Sequence, residues 1–256
     1  MTRIAIVGGA GRMGQILARG LGALDDMDVV ALVDPHEPAE LHGARYWPDL
    51  AGLEPSAVDV VVDFSAAESV GHSARWCGAH GVALVVGTTG LSESHRAELA
   101  AAAERTGVVV ASNFAIGAVL AERFAAWAAP YFERAEVIEL HHDAKADAPS
   151  GTAIATAHAI AAARRDAGRG LIVDTTTTWT LADSRGADAG DGVRVHSVRL
   201  PGLVAHQEIL FGGPGEGLLI RHDSYDRASF VPGVALAIRT MNRRAGLVEG
   251  LATLLG

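Results

Sequence analysis

The chain up to Asn113 alternates between two patterns of hydrophobic and polar positions. Short runs are apolar at nearly every position, which is typical of strands that are covered on both faces. These runs are RIAIVG, DVVALVD, VDVVVDFS, VALVVGTTG and GVVVAS. Stretches of helical character separate several of them, namely RMGQILARGLGAL, AESVGHSARWCGAH and SESHRAELAAAAERT. The alternation predicts right-handed βαβ crossovers and a parallel sheet.

The pattern changes after Asn113. A helical stretch, IGAVLAERFAAWAAPYFE, leads into the strand-like run AEVIELHHD, and a helix of small residues follows, SGTAIATAHAIAAARRDAG. Three later strand-like runs have no helix between them and therefore predict an open antiparallel or mixed sheet: VRVHSVRL, AHQEILFGG and GLLIRHDS. DTTTTWT predicts a further β-branched strand. The chain closes with two predicted helices, SFVPGVALAIRTMNRRAG and GLVEGLATLLG.

The predicted fold class is therefore α/β with two domains. Residues 1–113 and 227–256 are expected to form one domain around the parallel sheet, because the first closing helix is expected to return to it. Residues 114–226 are expected to form an α/β domain with the open mixed sheet. The chain would then cross between the domains twice, which predicts a hinge.

Charge and cysteine content narrow the function classes. The 256 residues carry a net charge of −9, which argues against nucleic-acid and membrane-surface partners, since both require clustered lysine and arginine. The single cysteine, Cys77, cannot form an internal disulfide, which fits a reducing compartment, and we expect it to be a buried structural thiol. No stretch reads as a signal peptide or a membrane span, so the expected location is the cytoplasm.

The loop GGAGRMG follows the first strand and opens a helix. Its glycines Gly8, Gly11 and Gly14 would allow a tight turn, a close backbone approach to a pyrophosphate and close packing of helix on strand. Asp34 ends the second strand, where an acid can bind the hydroxyls of an adenine ribose. These features predict a Rossmann-like domain that binds NADH or NADPH. Asp34 favours NADH because it repels a 2′-phosphate, whereas Arg12 could partly neutralise that phosphate, so dual use stays open.

Two later stretches, GTTG (87–90) and ASNF (111–114), also follow predicted strands at their carboxyl ends and could contact the nicotinamide and its ribose. The candidate cofactor-binding residues are then Gly8, Gly9, Ala10, Gly11, Arg12, Met13, Asp34, Gly87, Thr88, Thr89, Ala111, Ser112, Asn113 and Phe114.

The segment HHDAKADAPSGTA contains Lys145, the only lysine among 21 cationic residues. Lysine can donate a proton near neutral pH, whereas arginine, with a pKa above ~12, cannot, although a clamp for carboxylates would also explain the residue. Ser150 is a suitable N-cap for the next helix, whose first residues Gly151 and Thr152 would form an anion site. Metal binding is disfavoured, because Lys145 would place a positive charge beside the ion and no third and fourth ligand is evident.

These motifs resemble the dihydrodipicolinate reductase family in the right order along nearly the whole chain, above all ELHHDAKADAPSGTA, together with GGAGRMG, DFS, GTTG and SNFAIG. The resemblance implies NAD(P)H-dependent reduction of 4-hydroxy-tetrahydrodipicolinate to tetrahydrodipicolinate in lysine biosynthesis. It also implies that the second domain binds the dicarboxylate substrate and assembles a homotetramer. His141 falls on the family's acid/base histidine and Lys145 on its proton donor, while substrate-carboxylate contacts fall on His142, Gly151 and Thr152. Many members have Glu-Arg where this chain has Asp34-Pro35, which leaves the cofactor preference open.

Two other functions are compatible with parts of the sequence. A non-catalytic NAD(H) sensor would explain the glycine loop but would leave the histidine and lysine cluster unused. An amino-acid or sugar dehydrogenase of the same build would use the cluster on a different substrate. Loss of NADH absorbance with the dicarboxylate, and not with other carbonyl or imine acids, would separate the three.

Overall fold

The computed structural model describes residues 1–241 and 245–256, and the chain divides into two compact units. Unit 1 comprises Met1–Ile116 and Arg227–Gly256, and unit 2 comprises Gly117–Asp226. The boundaries expected from the sequence lay after residues 113 and 226.

Strands and helices alternate through the first part of the chain and then give way to a run of strands. The strands are β1 Thr2–Val7, β2 Met27–Val33, β3 Arg45–Trp47, β4 Val60–Asp63, β5 Ala83–Val86, β6 Gly107–Val110, β7 Arg134–His141, β8 Ala187–Asp188, β9 Arg194–Arg199, β10 Ala205–Gly213, β11 Glu216–Ser224 and β12 Gly246–Glu249. The α-helices are α1 Arg12–Gly22, α2 Ala67–His80, α3 Glu93–Ala103, α4 Ile116–Ala128, α5 Gly151–Asp166 and α6 Val231–Met241. Across the described residues, no helix combines the length and apolarity needed to cross a membrane.

Unit 1 is built on a seven-stranded sheet with the strand order β12-β6-β5-β4-β1-β2-β3. Every pairing in this sheet is parallel, which confirms the Rossmann-like domain. The central strands β1 and β4 carry Ile4, Ile6 and Val61 with no exposed surface, because helices cover both faces. Chain order reverses between β1 and β4, and in such sheets ligands bind at the carboxyl ends of the strands beside this switch point.

Two strands of this sheet differ from the sequence-based expectation. β3 was missed, because its three residues Arg45–Trp47 include no run of buried apolar side chains. The helix expected in GLVEGLATLLG is wrong: Gly246–Glu249 forms β12, and only Leu251–Leu254 makes a short 3₁₀ turn. Parallel pairing of β12 with β6 satisfies backbone groups that a helix would otherwise satisfy internally. The helix expected in SFVPGVALAIRTMNRRAG is observed as α6, and residues 242–244 of that stretch lie outside the described residues.

Unit 2 is built on a five-stranded sheet with the order β11-β10-β7-β9-β8. β7 and β9 are parallel and the other pairs are antiparallel, so the expected open mixed sheet is confirmed. Its core joins one face of the sheet to apolar residues of α4 and α5, including Ala125, Ala157 and Ile160. The strand expected in DTTTTWT is wrong, because residues 174–180 form no regular structure. The edge of β9 that this strand could have joined pairs with β8. Asp174 forms an ion pair with Arg194 of β9 at 3.2 Å.

Cys77 lies in the last turn of α2, which ends at His80, and has no exposed surface. Burial in apolar surroundings raises the pKa of its thiol well above the ordinary value, so the thiolate is strongly disfavoured. The prediction of a buried structural thiol is confirmed.

Candidate active site

The glycine turn between β1 and α1 has the geometry that its spacing predicts. Gly8 has a φ of +82°, and a Cβ there would lie 2.7 Å from the carbonyl oxygen of Phe64. A Cβ at Gly14 would overlap the carbonyl oxygen of Gly8, so the first turn of α1 can lie on the loop only if residue 14 is glycine. Gly11 precedes the first residue of α1 as its N-cap. The turn therefore presents backbone N–H groups and a helix N-terminus, which together suit a pyrophosphate.

Asp34 follows β2 and is held beside the glycine turn. One carboxylate oxygen accepts a hydrogen bond from the Ala10 N–H at 3.1 Å, and the other accepts one from the His36 N–H at 3.0 Å. A cavity lies against this carboxylate in unit 1. Most of its lining could not be predicted from a sequence motif. The lining includes Pro35, Pro48, Asp49, Leu50, Ser65, Glu68, Ser69, His72 and Ser73. Arg12, which would favour the 2′-phosphate of NADPH, is exposed at the start of α1.

Asp63, at the end of β4, organises the loops that follow the central strands. Its carboxylate has no exposed surface and accepts hydrogen bonds from the hydroxyls of Ser65 at 2.6 Å, Ser73 at 2.6 Å and Thr88 at 3.0 Å. The Asp63 carbonyl also accepts from the Gly87 N–H at 2.9 Å. The Thr88 hydroxyl is therefore committed to the protein, whereas Thr89 is exposed.

The two candidate nicotinamide stretches meet within unit 1. One cavity is lined by residues of both, Thr88, Thr89, Gly90, Ala111 and Ser112, and also by residues that the sequence did not suggest: Leu91, Arg96, Val110, Glu249 and Gly250. Phe114 is not at its surface, since its ring is fully buried and packs on Phe64 with 5.5 Å between centroids. The Asn113 side chain accepts a hydrogen bond from the Ala115 N–H at 2.9 Å.

The histidine and lysine residues of the second unit lie at the end of β7 and in the loop that follows. His141 is the last residue of β7, and His142 starts a turn in which its carbonyl accepts from the Lys145 N–H at 3.2 Å. The Lys145 ammonium donates to both carboxylate oxygens of Asp147, at 2.6 and 2.8 Å. The loop ends at a cis peptide bond between Ala148 and Pro149, directly before the N-cap of α5.

The N-terminus of α5 is arranged as predicted. The Ser150 hydroxyl accepts from the Ala153 N–H at 3.2 Å, which makes Ser150 the N-cap. Gly151 opens the helix with no atom within 4 Å of the place where a side chain would begin, and Thr152 follows it half-buried. A helix N-terminus carries a partial positive charge, so this end of the loop suits a carboxylate.

Glu139 and Arg199 hold this loop together, and both were missed as site residues. Glu139 is fully buried, and its two oxygens accept from the two Nη atoms of Arg199, each at 2.8 Å. Glu139 also lies within hydrogen-bond distance of His141 Nδ1, at 2.5 Å, and accepts from the Ser150 N–H at 3.2 Å. Arg199 donates further to the Asp147 carbonyl at 2.8 Å. The available signal was the two-residue spacing of Glu139 and His141, which places both on one face of a strand.

The pKa values of this cluster are shifted in a consistent way. Burial opposes ionisation of Glu139, but hydrogen bonds from Arg199, Ser197 and His141 outweigh it and hold the pKa of the carboxyl below its ordinary value. Burial lowers the pKa of His141, the neighbouring Lys145 and Arg199 lower it further, and Glu139 opposes them. His141 is therefore largely neutral at pH 7 beside an ionised Glu139.

Comparison with known proteins gives a consistent assignment over the whole chain. Residues 2–114 match the family model described as dihydrodipicolinate reductase, N-terminus, and residues 117–255 match dihydrodipicolinate reductase, C-terminus. A 4-hydroxy-tetrahydrodipicolinate reductase of Nocardia farcinica is 49% identical over 97% of this chain and 96% of its own length. One from Streptococcus pneumoniae is 47% identical over 99% of each chain.

Among solved structures, a dipicolinate-bound dihydrodipicolinate reductase from Paenisporosarcina sp. TG-14 is similar throughout. It is 40% identical, covers 99% of both chains and superposes with a TM-score of 0.88. The likeness therefore includes both units and the order of their elements.

Proposed function

The chain belongs to the dihydrodipicolinate reductase family, and we propose which of its residues carry out that family's reaction. It is an NAD(P)H-dependent oxidoreductase that reduces 4-hydroxy-tetrahydrodipicolinate to tetrahydrodipicolinate in diaminopimelate and lysine biosynthesis. A non-catalytic dinucleotide sensor and a dehydrogenase for amino acids or sugars are thereby set aside.

The cofactor proposal rests on unit 1. The pyrophosphate binds the turn from Gly8 to Met13 and the N-terminus of α1. Because Gly14 has no Cβ, the first turn of α1 can lie directly against this loop. Asp34 binds the adenine ribose, and the cavity beside it receives the adenosine. The cavity lined by Thr88, Thr89, Ala111 and Ser112 receives the nicotinamide half. When bound, NAD(P)H supplies the hydride for the reduction.

The substrate proposal rests on unit 2. A ring with two carboxylates requires cationic and N–H partners in one place, and an acidic chain with a net charge of −9 gathers them here. His142 and the N-terminal residues of α5, Gly151 and Thr152, bind the carboxylates. The similar structure from Paenisporosarcina has dipicolinate bound, a dicarboxylate of the class that these residues suit.

The proton proposal follows from the balance of the reaction. Going from the 4-hydroxy compound to the tetrahydro product removes one water and adds a hydride to one carbon and a proton to its neighbour. Lys145 Nζ carries three N–H donors and can release one, which arginine cannot do at neutral pH. His141, neutral at pH 7, takes part at Nε2 as the acid/base partner, since its Nδ1 is committed to Glu139 at 2.5 Å.

We also propose that unit 2 assembles a homotetramer through the face of its sheet that α4 and α5 do not cover. Leu210 on β10 and Leu219 on β11 are 38% and 55% exposed there, although isolated sheets usually carry polar residues on such a face. Sedimentation analysis should give four times the mass of one chain. Leu210→Glu should lower the mass, and Leu41→Glu in unit 1, at the same 38% exposure, should not.

We place the enzyme in the cytoplasm, without nucleic-acid or membrane partners. The net charge of −9 disfavours binding to the phosphates of a polymer or a bilayer, and the single buried cysteine fits a reducing compartment. Fractionation of cells that express the chain, with assay of both fractions, tests it.

The observation that carries the proposal is that one buried carboxylate, Glu139, binds both His141 and the N-terminus of α5, and through Arg199 also holds the loop that carries Lys145. The test is the loss of the absorbance of the reduced nicotinamide of NADH when freshly generated 4-hydroxy-tetrahydrodipicolinate is added. Turnover with this substrate and none with pyruvate, aspartate or inositol is expected. Turnover only with one of the latter would contradict the assignment.

A further inference from the structure

We propose that Glu139 is a positioning residue that fixes the tautomer of His141, so that Nδ1 carries a proton and Nε2 is the nitrogen available for chemistry. The proposal deepens the function above and rests on the acid/base role given there to His141. Glu139 itself does not touch the substrate, because it is completely buried in the sheet.

The partners of Glu139 determine the direction of its hydrogen bond to His141. An ionised carboxylate only accepts hydrogen bonds, and here it accepts two from Arg199 and one from the Ser150 N–H. Its 2.5 Å contact with His141 Nδ1 can therefore be a hydrogen bond only if Nδ1 is the donor. A neutral imidazole has one N–H, so Nε2 is then the acceptor.

Glu139 cannot turn away from this arrangement. It lies in β7 between β9 and β10, opposite Ser197 on one neighbour and Gln207 on the other. The guanidinium of Arg199 is held in turn by the carbonyls of Val198 and Asp147, both at 2.8 Å. Asp147 also binds Lys145. The Glu139 carboxylate therefore fixes His141 directly and, through Arg199, the loop that carries the lysine.

The charged groups that face His141 set the sign of the expected pH effect. They are Glu139 of its own strand, Arg199 of β9 and Lys145 of the loop, and the residue opposite on β10 is the uncharged Ala205. Glu139 alone among the three charges favours imidazolium. Its neutralisation should therefore lower the pKa of His141 and leave the two cations to lower it further.

A purely structural role for the Glu139–Arg199 ion pair predicts something different. A buried ion pair is weak support for stability by itself, and its loss would loosen the loop without selecting a tautomer. The two roles are separated by the ¹⁵N chemical shifts of the His141 ring, which distinguish the protonated nitrogen from the bare one. Comparison with His141→Ala assigns the ring among the 11 histidines of the chain.

The first measurement uses the wild-type enzyme and needs no variant to fold. The neutral His141 ring should be protonated at Nδ1, and a ring protonated at Nε2 would overturn the proposal.

The second measurement uses Glu139→Gln, whose amide can donate to Nδ1 and so favour the other tautomer. We expect this variant to move the proton to Nε2 and to lower kcat at least ~10-fold, within the range of acid–base catalysis. The His141 limb of the kcat/KM profile should move to lower pH by ~1–3 units.

The matched control is Glu136→Gln on the same strand. Glu136 also binds an arginine and a histidine, with His196 Nε2 at 2.8 Å and Arg185 as its ion-pair partner, but it lies three residues away on the opposite face. This variant should keep the tautomer and pH profile of His141. An unchanged profile in Glu139→Gln together with a slow His141→Ala would refute the positioning role alone. A His141→Ala variant with normal kcat would instead refute the proposed function of His141.

Discussion

Lys145 and Asp147 form an ion pair across two residues of one loop, with Nζ 2.6 and 2.8 Å from the two carboxylate oxygens. The hydrogen bond from Lys145 lowers the pKa of Asp147, so this acid stays ionised at neutral pH. The side chain of Asp147 is 65% exposed, whereas that of Lys145 is 20% exposed. An anionic substrate that approaches Lys145 must therefore compete with an acid of the enzyme itself.

Removing this competing charge should strengthen substrate binding. Asp147→Asn is expected to lower KM for the dicarboxylate about two- to fivefold, because the substrate then no longer competes with a carboxylate of the enzyme for the Lys145 ammonium. Steady-state kinetics at pH 7 measures this, with Asp143→Asn, an exposed acid of the same loop, as the control. A rise in KM for Asp147→Asn would mean that Asp147 holds the lysine in place and does not compete.

Lys145→Arg keeps the charge but removes the accessible proton. If Lys145 donates the proton, kcat should fall ~10²–10⁴-fold, and Lys145→Ala should show a comparable loss. NADH affinity, measured by fluorescence titration without substrate, should stay unchanged. A near-normal kcat with a raised KM would leave Lys145 as a carboxylate clamp.

The two adjacent histidines should separate kinetically. His142 lies beyond the end of β7, in the turn closed by the Lys145 N–H, and we assign it to a substrate carboxylate. His142→Ala should therefore act mainly on KM, with kcat within about threefold of wild type, since a lost carboxylate contact weakens ground and transition states alike. His141→Ala is the comparison variant, expected to act on kcat. Equal losses of kcat in the two variants would contradict separate roles for His141 and His142.

Asp34 should set the preference for the cofactor. We expect NADH to bind at least as well as NADPH, and a more than tenfold preference for NADPH would contradict this. Asp34→Ala should weaken NADH by roughly 1–3 kcal/mol through loss of charge-assisted hydrogen bonds, and should spare NADPH. Asp28→Ala, an exposed acid on β2, provides the control. Titration of intrinsic fluorescence with each nucleotide measures all three proteins.

Two glycines of α1 offer a direct test of the phosphate turn. A Cβ at Gly14 would overlap the Gly8 carbonyl oxygen, whereas at Gly22 no atom lies within 4 Å of the same position. Gly14→Ala should lower the free energy of unfolding by ~1–3 kcal/mol and weaken NADH binding, because the turn must shift. Gly22→Ala should be neutral or stabilising, since alanine favours helix. Denaturant unfolding and NADH titration measure both, and equal behaviour would rule out close packing as the role of Gly14.

The parts of the site that the sequence predicts are those fixed by local structure. Gly8 and Gly14 could be assigned because the strand, turn and helix around them are contiguous, and Ser150 because a cap and its helix are neighbours in the chain. Glu139 could not, because its burial and charge depend on Arg199, 60 residues away, which reaches it only through parallel pairing of β7 with β9. β12 was missed for the same reason, since its partner β6 is distant in sequence.

The burial of Cys77 gives the protein a built-in reporter of its own opening. The thiol is the only one in the chain, lies fully inside unit 1 and has a raised pKa, so folded molecules are protected from alkylating reagents. Covalent labelling with a maleimide then counts only molecules in which α2 has separated from the sheet. The rate of labelling in native buffer therefore follows the opening of the nucleotide-binding unit, and a rate that slows as NADH is added reads out cofactor binding without any engineered probe.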